Sequence, residues 1–127
     1  MKHIQLASVL LLASAAASAM SLRDAGENML YFEHARLATE RCEGRGFRVR
    51  AAYGAWASRN SVLRVESADA IREHGARGGL SKSEQEAVLK EAVATQRELA
   101  QEHIGKKGVN CQQFDAALQM YSTLLKQ

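Results

Sequence analysis

The chain has 127 residues, a formal net charge of +3 and no proline. That length fits one small domain, and so small a positive charge gives no reason to expect a nucleic-acid partner. The lack of proline, against an average of about 5%, favours long helices joined by short glycine turns. Because there is also no alternating strand pattern, repeat or long linker, the sequence predicts an all-α protein.

The first 19 residues have the layout of a secretory signal peptide. Lys2 gives a basic start, residues 4–12 are apolar, and residues 17–19 form a small-x-small cleavage site. We therefore expect cleavage after Ala19, which leaves residues 20–127 as a single helical bundle domain in the periplasm or medium of a bacterium. The alternative is an uncleaved membrane anchor, but a spanning helix needs about 20 apolar residues. No transmembrane segment is expected after cleavage.

The first predicted helix runs from Leu22 or Asp24 to about Glu43, with Ser21 or Asp24 as the N-cap. Glycines at 44 and 46 end it. The second predicted helix, from about Phe47 to residue 74, is the longest uninterrupted helical pattern. Two polar residues at 60 and 67 interrupt its apolar stripe, so each should have a buried hydrogen-bond partner or mark a thin part of the core.

Two more predicted helices complete the chain. The third begins at a capping box in which Ser81 is followed by Glu84, and glycines at 105 and 108 end it. The fourth begins at Asn110, which is followed by Gln113 in a variant of the same box. Short connections between these elements favour a four-helix up-and-down bundle.

The two cysteines, Cys42 and Cys111, lie at the end of the first helix and the start of the fourth. An up-and-down bundle brings these two positions to the same end. In an exported chain an even number of cysteines favours a disulfide, so we predict a Cys42–Cys111 bridge. Free thiols and a two-ligand metal site are the alternatives.

The histidines give little support for catalysis or for a metal. His34, His74 and His103 each follow a glutamate, but no two have the i, i+4 spacing of helical metal ligands. His34 and His103 fall at similar heights in the bundle, which leaves open a two-histidine site with a glutamate. Surface or helix-end histidines are the alternative. We expect no enzyme activity, no catalytic residue, no metal and no cofactor.

Charge is concentrated near the start of the second helix. Six arginines and one acid, Glu43, occur between residues 41 and 64, whereas the third helix is acidic. Because the guanidinium group suits carboxylates and phosphates, we predict that Arg45, Arg48 and Arg50 bind an anionic partner. The alternative is that these charges pair within the bundle or face water.

The pattern Y-x-x-W-x-x-R-N places Tyr53, Trp56 and Asn60 on one helical face. They could form a core aromatic patch, or a ligand pocket with Asn60 as its polar contact. In residues 42–63 a cysteine closes the first helix and this pattern follows it. This segment resembles small uncharacterised exported helical proteins of proteobacteria. The resemblance implies an exported helical domain and brings no known activity or site residues. Such envelope proteins include inhibitors and immunity proteins that bind one partner.

Our functional hypothesis is a non-enzymatic interaction protein of the cell envelope that is inhibitor-, immunity- or chaperone-like. Its partner would be another envelope protein or an anionic envelope component. The alternative is a small-molecule or metal carrier with a site between helices near Trp56, His34 and His103. The expected oligomeric state is a monomer or a homodimer.

Overall fold

The computed structural model describes residues 20–127, so the predicted signal peptide at residues 1–19 lies outside the described part. Within that part the all-α prediction is confirmed. Five helices follow one another, and a 3-10 turn at Cys111–Gln113 precedes the last of them. They are α1 (Leu22–Gly44), α2 (Arg50–Arg59), α3 (Ser61–Arg77), α4 (Lys82–Lys107) and α5 (Phe114–Leu124).

The first helix, α1, is the centre of the fold. Helices α1, α3 and α4 pack against one another to form a bundle-like core, while the shorter α2 and α5 pack on α1 and on each other. Contact with four helices explains the wide apolar face of α1, which is buried at Ala25, Met29, Phe32, Ala35, Ala38 and Cys42. None of the described helices combines the length and apolar character needed to cross a bilayer.

The prediction of one long second helix, and hence of four helices, is wrong, because α2 and α3 are separate. The break is at Asn60, whose side-chain Nδ2 donates to the Trp56 carbonyl oxygen at 2.9 Å and whose φ of −106° departs from helical geometry. Asparagine competes in this way with the backbone ladder. The start also differs, since α2 begins at Arg50, where the carboxylate of Glu43 accepts from the Val49 and Arg50 backbone N–H groups.

The two predicted capping boxes have different outcomes. At α4 the box forms, because Ser81 Oγ accepts from the Glu84 N–H and Glu84 Oε1 accepts from the Ser81 N–H. At Asn110 it does not form, since that side chain accepts no bond from the helix backbone. Residues 111–113 instead make a 3-10 turn, and α5 starts at Phe114 with no side-chain cap.

The predicted disulfide is confirmed. Cys42, near the end of α1, and Cys111, just before α5, are both buried and bonded, with 5.5 Å between their Cα atoms. The connections are short enough that α1 and α4 end at the same side of the fold, where the turn into α5 begins. We call this side the disulfide end.

At the opposite end, Asn28 joins three parts of the chain. Its side chain is fully buried, and Nδ2 donates to Ser67 Oγ at 3.0 Å and to the Lys126 carbonyl at 2.8 Å. Its Oδ1 accepts from the Lys126 N–H at 2.7 Å. Ser67 therefore has the buried partner that its place in the apolar stripe required. These bonds, called the Asn28 clamp below, fasten α1, α3 and the segment after α5 together.

Candidate functional site

Arg45, Arg48 and Arg50, the arginine segment, lie in the connection between α1 and α2 and in the first turn of α2. All three side chains are exposed. Arg45 Nη1 lies 3.7 Å from Cys111 Sγ, and its guanidinium group is 5.9 Å from the ring centroid of Phe47. The segment is thus held against the disulfide end of the fold.

The carboxylate nearest to the arginine segment is occupied. Glu43 accepts the Val49 and Arg50 N–H groups, and the Val49 bond is the main cause that lowers the pKa of Glu43, followed by the Arg50 bond and by the charges of Arg50 and Arg48. Arg50 Nε lies 3.4 Å from Glu43 Oε1. Within residues 20–127, Arg45 and Arg48 form no ion pair.

A depression of about 480 Å³, lined by both apolar and polar residues, adjoins these arginines. Its apolar lining includes Phe47, Val49 and Phe114 beside the disulfide, and its polar lining is Arg48, Gln112, Gln113 and Asp115. The disulfide end therefore presents positive charge beside apolar surface. This combination, central apolar contact with arginine around it, is common in surfaces that bind other proteins.

Tyr53, Trp56 and Asn60 each contact neighbouring groups of the fold. Trp56 is 2% exposed, its Nε1 donates to Ser122 Oγ at 2.7 Å, and its ring meets Phe32 edge-on at 5.8 Å between centroids. Tyr53 stacks on Trp56, and Asn60 donates to a carbonyl of α2. This arrangement favours the core aromatic patch over the ligand pocket.

His34 and His103 lie together, as their predicted heights allowed. His34 Nε2 is 3.2 Å from His103 Nδ1, and Tyr121 packs on the His34 ring at 5.5 Å between centroids. Burial, and secondly the charge of His103, lowers the pKa of His34, and burial raises the pKa of Tyr121. Among residues 20–127 there is no group of three or more His, Cys, Asp or Glu side chains that could hold a metal ion, so no glutamate joins the pair.

A second groove, which the sequence did not indicate, lies between α1, α3 and α4. Its volume is about 440 Å³, and Glu33 of α1 lies on its floor. Glu33 is 5% exposed and accepts from Arg36 Nε at 3.0 Å and from Arg97 Nε at 2.9 Å. One signal was available in the sequence, since Glu33 lies next to Phe32 and one turn after Met29 on the apolar face of the first helix.

No protein-family model matches the sequence, and neither a curated protein nor a solved structure shows significant similarity to it.

Proposed function

We propose that this chain is a non-enzymatic interaction protein that binds an acidic surface of another envelope protein through Arg45, Arg48 and Arg50. The observation that carries the proposal is the state of these side chains. Three exposed guanidinium groups lie within six residues. Among residues 20–127, the only carboxylate paired with any of them is that of Glu43, which already caps α2.

The surroundings of the arginine segment support a protein partner. The disulfide and the cap from Glu43 fix the backbone on both sides of it, so little conformational entropy is lost when the surface binds. The adjoining depression at Phe47 and Phe114 supplies apolar area, which a purely ionic contact does not need. An anionic envelope component, such as a phosphorylated lipid or a peptidoglycan carboxylate, is the alternative partner.

Two observations support an exported protein of the periplasm or medium. A buried structural disulfide is typical of oxidising compartments, and residues 1–19 have the pattern of a signal peptide. The resemblance of residues 42–63 to exported helical proteins of proteobacteria points to the same location. Inhibitors and immunity proteins of the envelope work by binding one partner, which is the kind of role proposed here.

The test is a triple charge reversal, Arg45→Glu, Arg48→Glu and Arg50→Glu, with crosslinking of the mature protein in the periplasm followed by titration of the captured partner. We expect at least a tenfold loss of affinity and steeper salt dependence for the wild type than for the variant. The matched control reverses Arg23, Arg59 and Arg77, which are exposed and lie outside the arginine segment, and should bind normally. Binding that survives the first triple reversal would disprove the proposal.

Circular dichroism of both variants shows whether the fold is intact, since these side chains contribute little to the core. Soluble lipid phosphates and peptidoglycan fragments serve as separate probes in the same titration. Preferential binding of either one, with the same dependence on Arg45, Arg48 and Arg50, would replace the protein partner by an envelope component.

A further inference from the structure

The α1–α3–α4 groove exists because α4 packs against α1 and α3, while α2 packs instead against α1, α3 and α5. The α1 residues that line the groove, Met29, Phe32 and Glu33, are themselves 5–7% exposed. Val65, which is 58% exposed, stands on one wall of this groove. The apolar residues that line it include Met29, Phe32, Val65, Ala68, Leu89 and Val93.

Ion pairs between helices close both ends of the groove. At one end Arg72 of α3 binds Glu86 of α4, and at the other end Arg97 of α4 binds Glu33 of α1. From Glu86 to Arg97, at about 1.5 Å per residue, the distance is roughly 16 Å. A docked helix, which is about 10–12 Å wide with its side chains, needs a trough that is open at its ends. A short flexible chain does not.

Of the charged side chains that line the groove, two are bound to oppositely charged residues and one is not. Glu33 is bound by Arg36 and Arg97, and Arg72 is bound by Asp69 and Glu86. Arg64, which also lines the groove, has a side chain that forms no hydrogen bond or ion pair with any residue from 20 to 127. In the part of the chain that the structure describes, the unpaired charge on the groove wall is therefore positive.

We propose that this groove binds a single-chain amphiphile with one carboxylate headgroup, the chemical class of the fatty acids. The aliphatic chain lies on the apolar floor and covers Val65, and the carboxylate pairs with the guanidinium group of Arg64. At about 30 Å³ for each water-sized group, the volume of about 440 Å³ has room for a chain of roughly ten to fourteen carbons. A cationic headgroup would meet Arg64 with like charge.

The test is isothermal titration of the mature protein with dodecanoate below its micelle concentration, compared with dodecanol and dodecyltrimethylammonium. We expect one dodecanoate per chain, with at least tenfold weaker binding of the neutral and cationic compounds. The Arg64→Gln variant should lose at least tenfold in affinity for dodecanoate. The control Arg59→Gln, which changes an exposed arginine outside the groove, should bind dodecanoate like the wild type.

A second variant, Val93→Phe, tests the groove without touching the charge, because the larger side chain fills the space the ligand needs. It should lose dodecanoate binding while keeping its helical circular dichroism. Equal binding of dodecanol and dodecanoate, or dodecanoate binding that survives in both variants, would overturn the proposal. So would tight binding of an amphipathic helical peptide with no binding of dodecanoate. Reversal of Arg45, Arg48 and Arg50 should leave dodecanoate binding unchanged, so this proposal and the proposed function fail separately.

Discussion

Replacing Asn28 with alanine removes the three hydrogen bonds that fasten Ser67 and Lys126 to α1. At a net value of about 1 kcal/mol for each bond, the variant should lose about 3 kcal/mol of unfolding free energy. The entropy of unfolding is about 2.1 cal/mol/K per residue, which for the roughly 108 residues after the predicted cleavage site gives about 0.23 kcal/mol/K. The melting temperature should therefore fall by about 13 °C.

The assay is thermal unfolding followed by circular dichroism at pH 7, and Asn60→Ala is the control. Asn60 makes one side-chain bond to a helix carbonyl, so its loss should lower the melting temperature by about 4 °C. Deleting Lys126 and Gln127 should destabilise the wild type but add little to Asn28→Ala, because the partner of the deleted backbone is already gone. A fall of 4 °C or less for Asn28→Ala would refute the clamp.

Three further changes have predicted outcomes. Replacing both Cys42 and Cys111 with alanine opens a loop of 69 residues and should cost about 4 kcal/mol, or about 15–20 °C in melting temperature. Glu33→Gln removes the buried negative charge that pairs with Arg36 and Arg97. The free energy of unfolding measured in urea should fall by about 1–3 kcal/mol. Burial and His103 lower the pKa of His34 below its ordinary 6.5, so the unfolded chain binds more protons there. The free energy of unfolding should therefore decrease as the pH is lowered below 6.5. His34→Gln should make this decrease smaller.

Matched variants serve as controls for these three predictions. Within residues 20–127, half-buried Glu27 pairs with exposed Arg23 one turn away, so Glu27→Gln should change stability by less than about 1 kcal/mol. Exposed His74 should leave the pH dependence unchanged when replaced by glutamine. The disulfide prediction fails if excess reductant, applied to the partly unfolded protein, leaves the melting curve where it was. Equal pH slopes for wild type and His34→Gln would contradict the histidine prediction.

Features that follow from helix patterns and helix-end signals were predictable from the sequence. The capping box at Ser81 and Glu84 needs only two side chains in the same turn, and it forms. The Cys42–Cys111 bridge follows from helix ends and short turns, which fix the ends of the fold where both cysteines lie. Ser67, a polar residue within an apolar stripe, had to have a buried partner, and that partner is Asn28.

Features that depend on which of several side-chain contacts forms were not predictable. The start of α2 is fixed by Glu43, a residue of the preceding helix, which accepts the first N–H groups. The end of α2 is fixed by the Asn60 side chain, which donates to the Trp56 carbonyl of the same helix. The groove lies between α1, α3 and α4, where Arg72 and Glu86 link α3 to α4, and no local pattern encodes that spacing. Of the candidate site residues, the arginines are exposed as expected, whereas Trp56 is committed to the core.

The positions of the disulfide and the Asn28 clamp decide how the chain would carry mechanical tension. If residues 20 and 127 are pulled apart, the force passes through the Cys42–Cys111 disulfide. The segment between the two cysteines then carries no tension. Only roughly 38 residues can then extend, which at about 3.5 Å per residue is about 130 Å, against about 370 Å for the reduced chain. The clamp ruptures first and α1 and α5 unravel next, while α2, α3 and α4, which all lie between the two cysteines, stay unloaded.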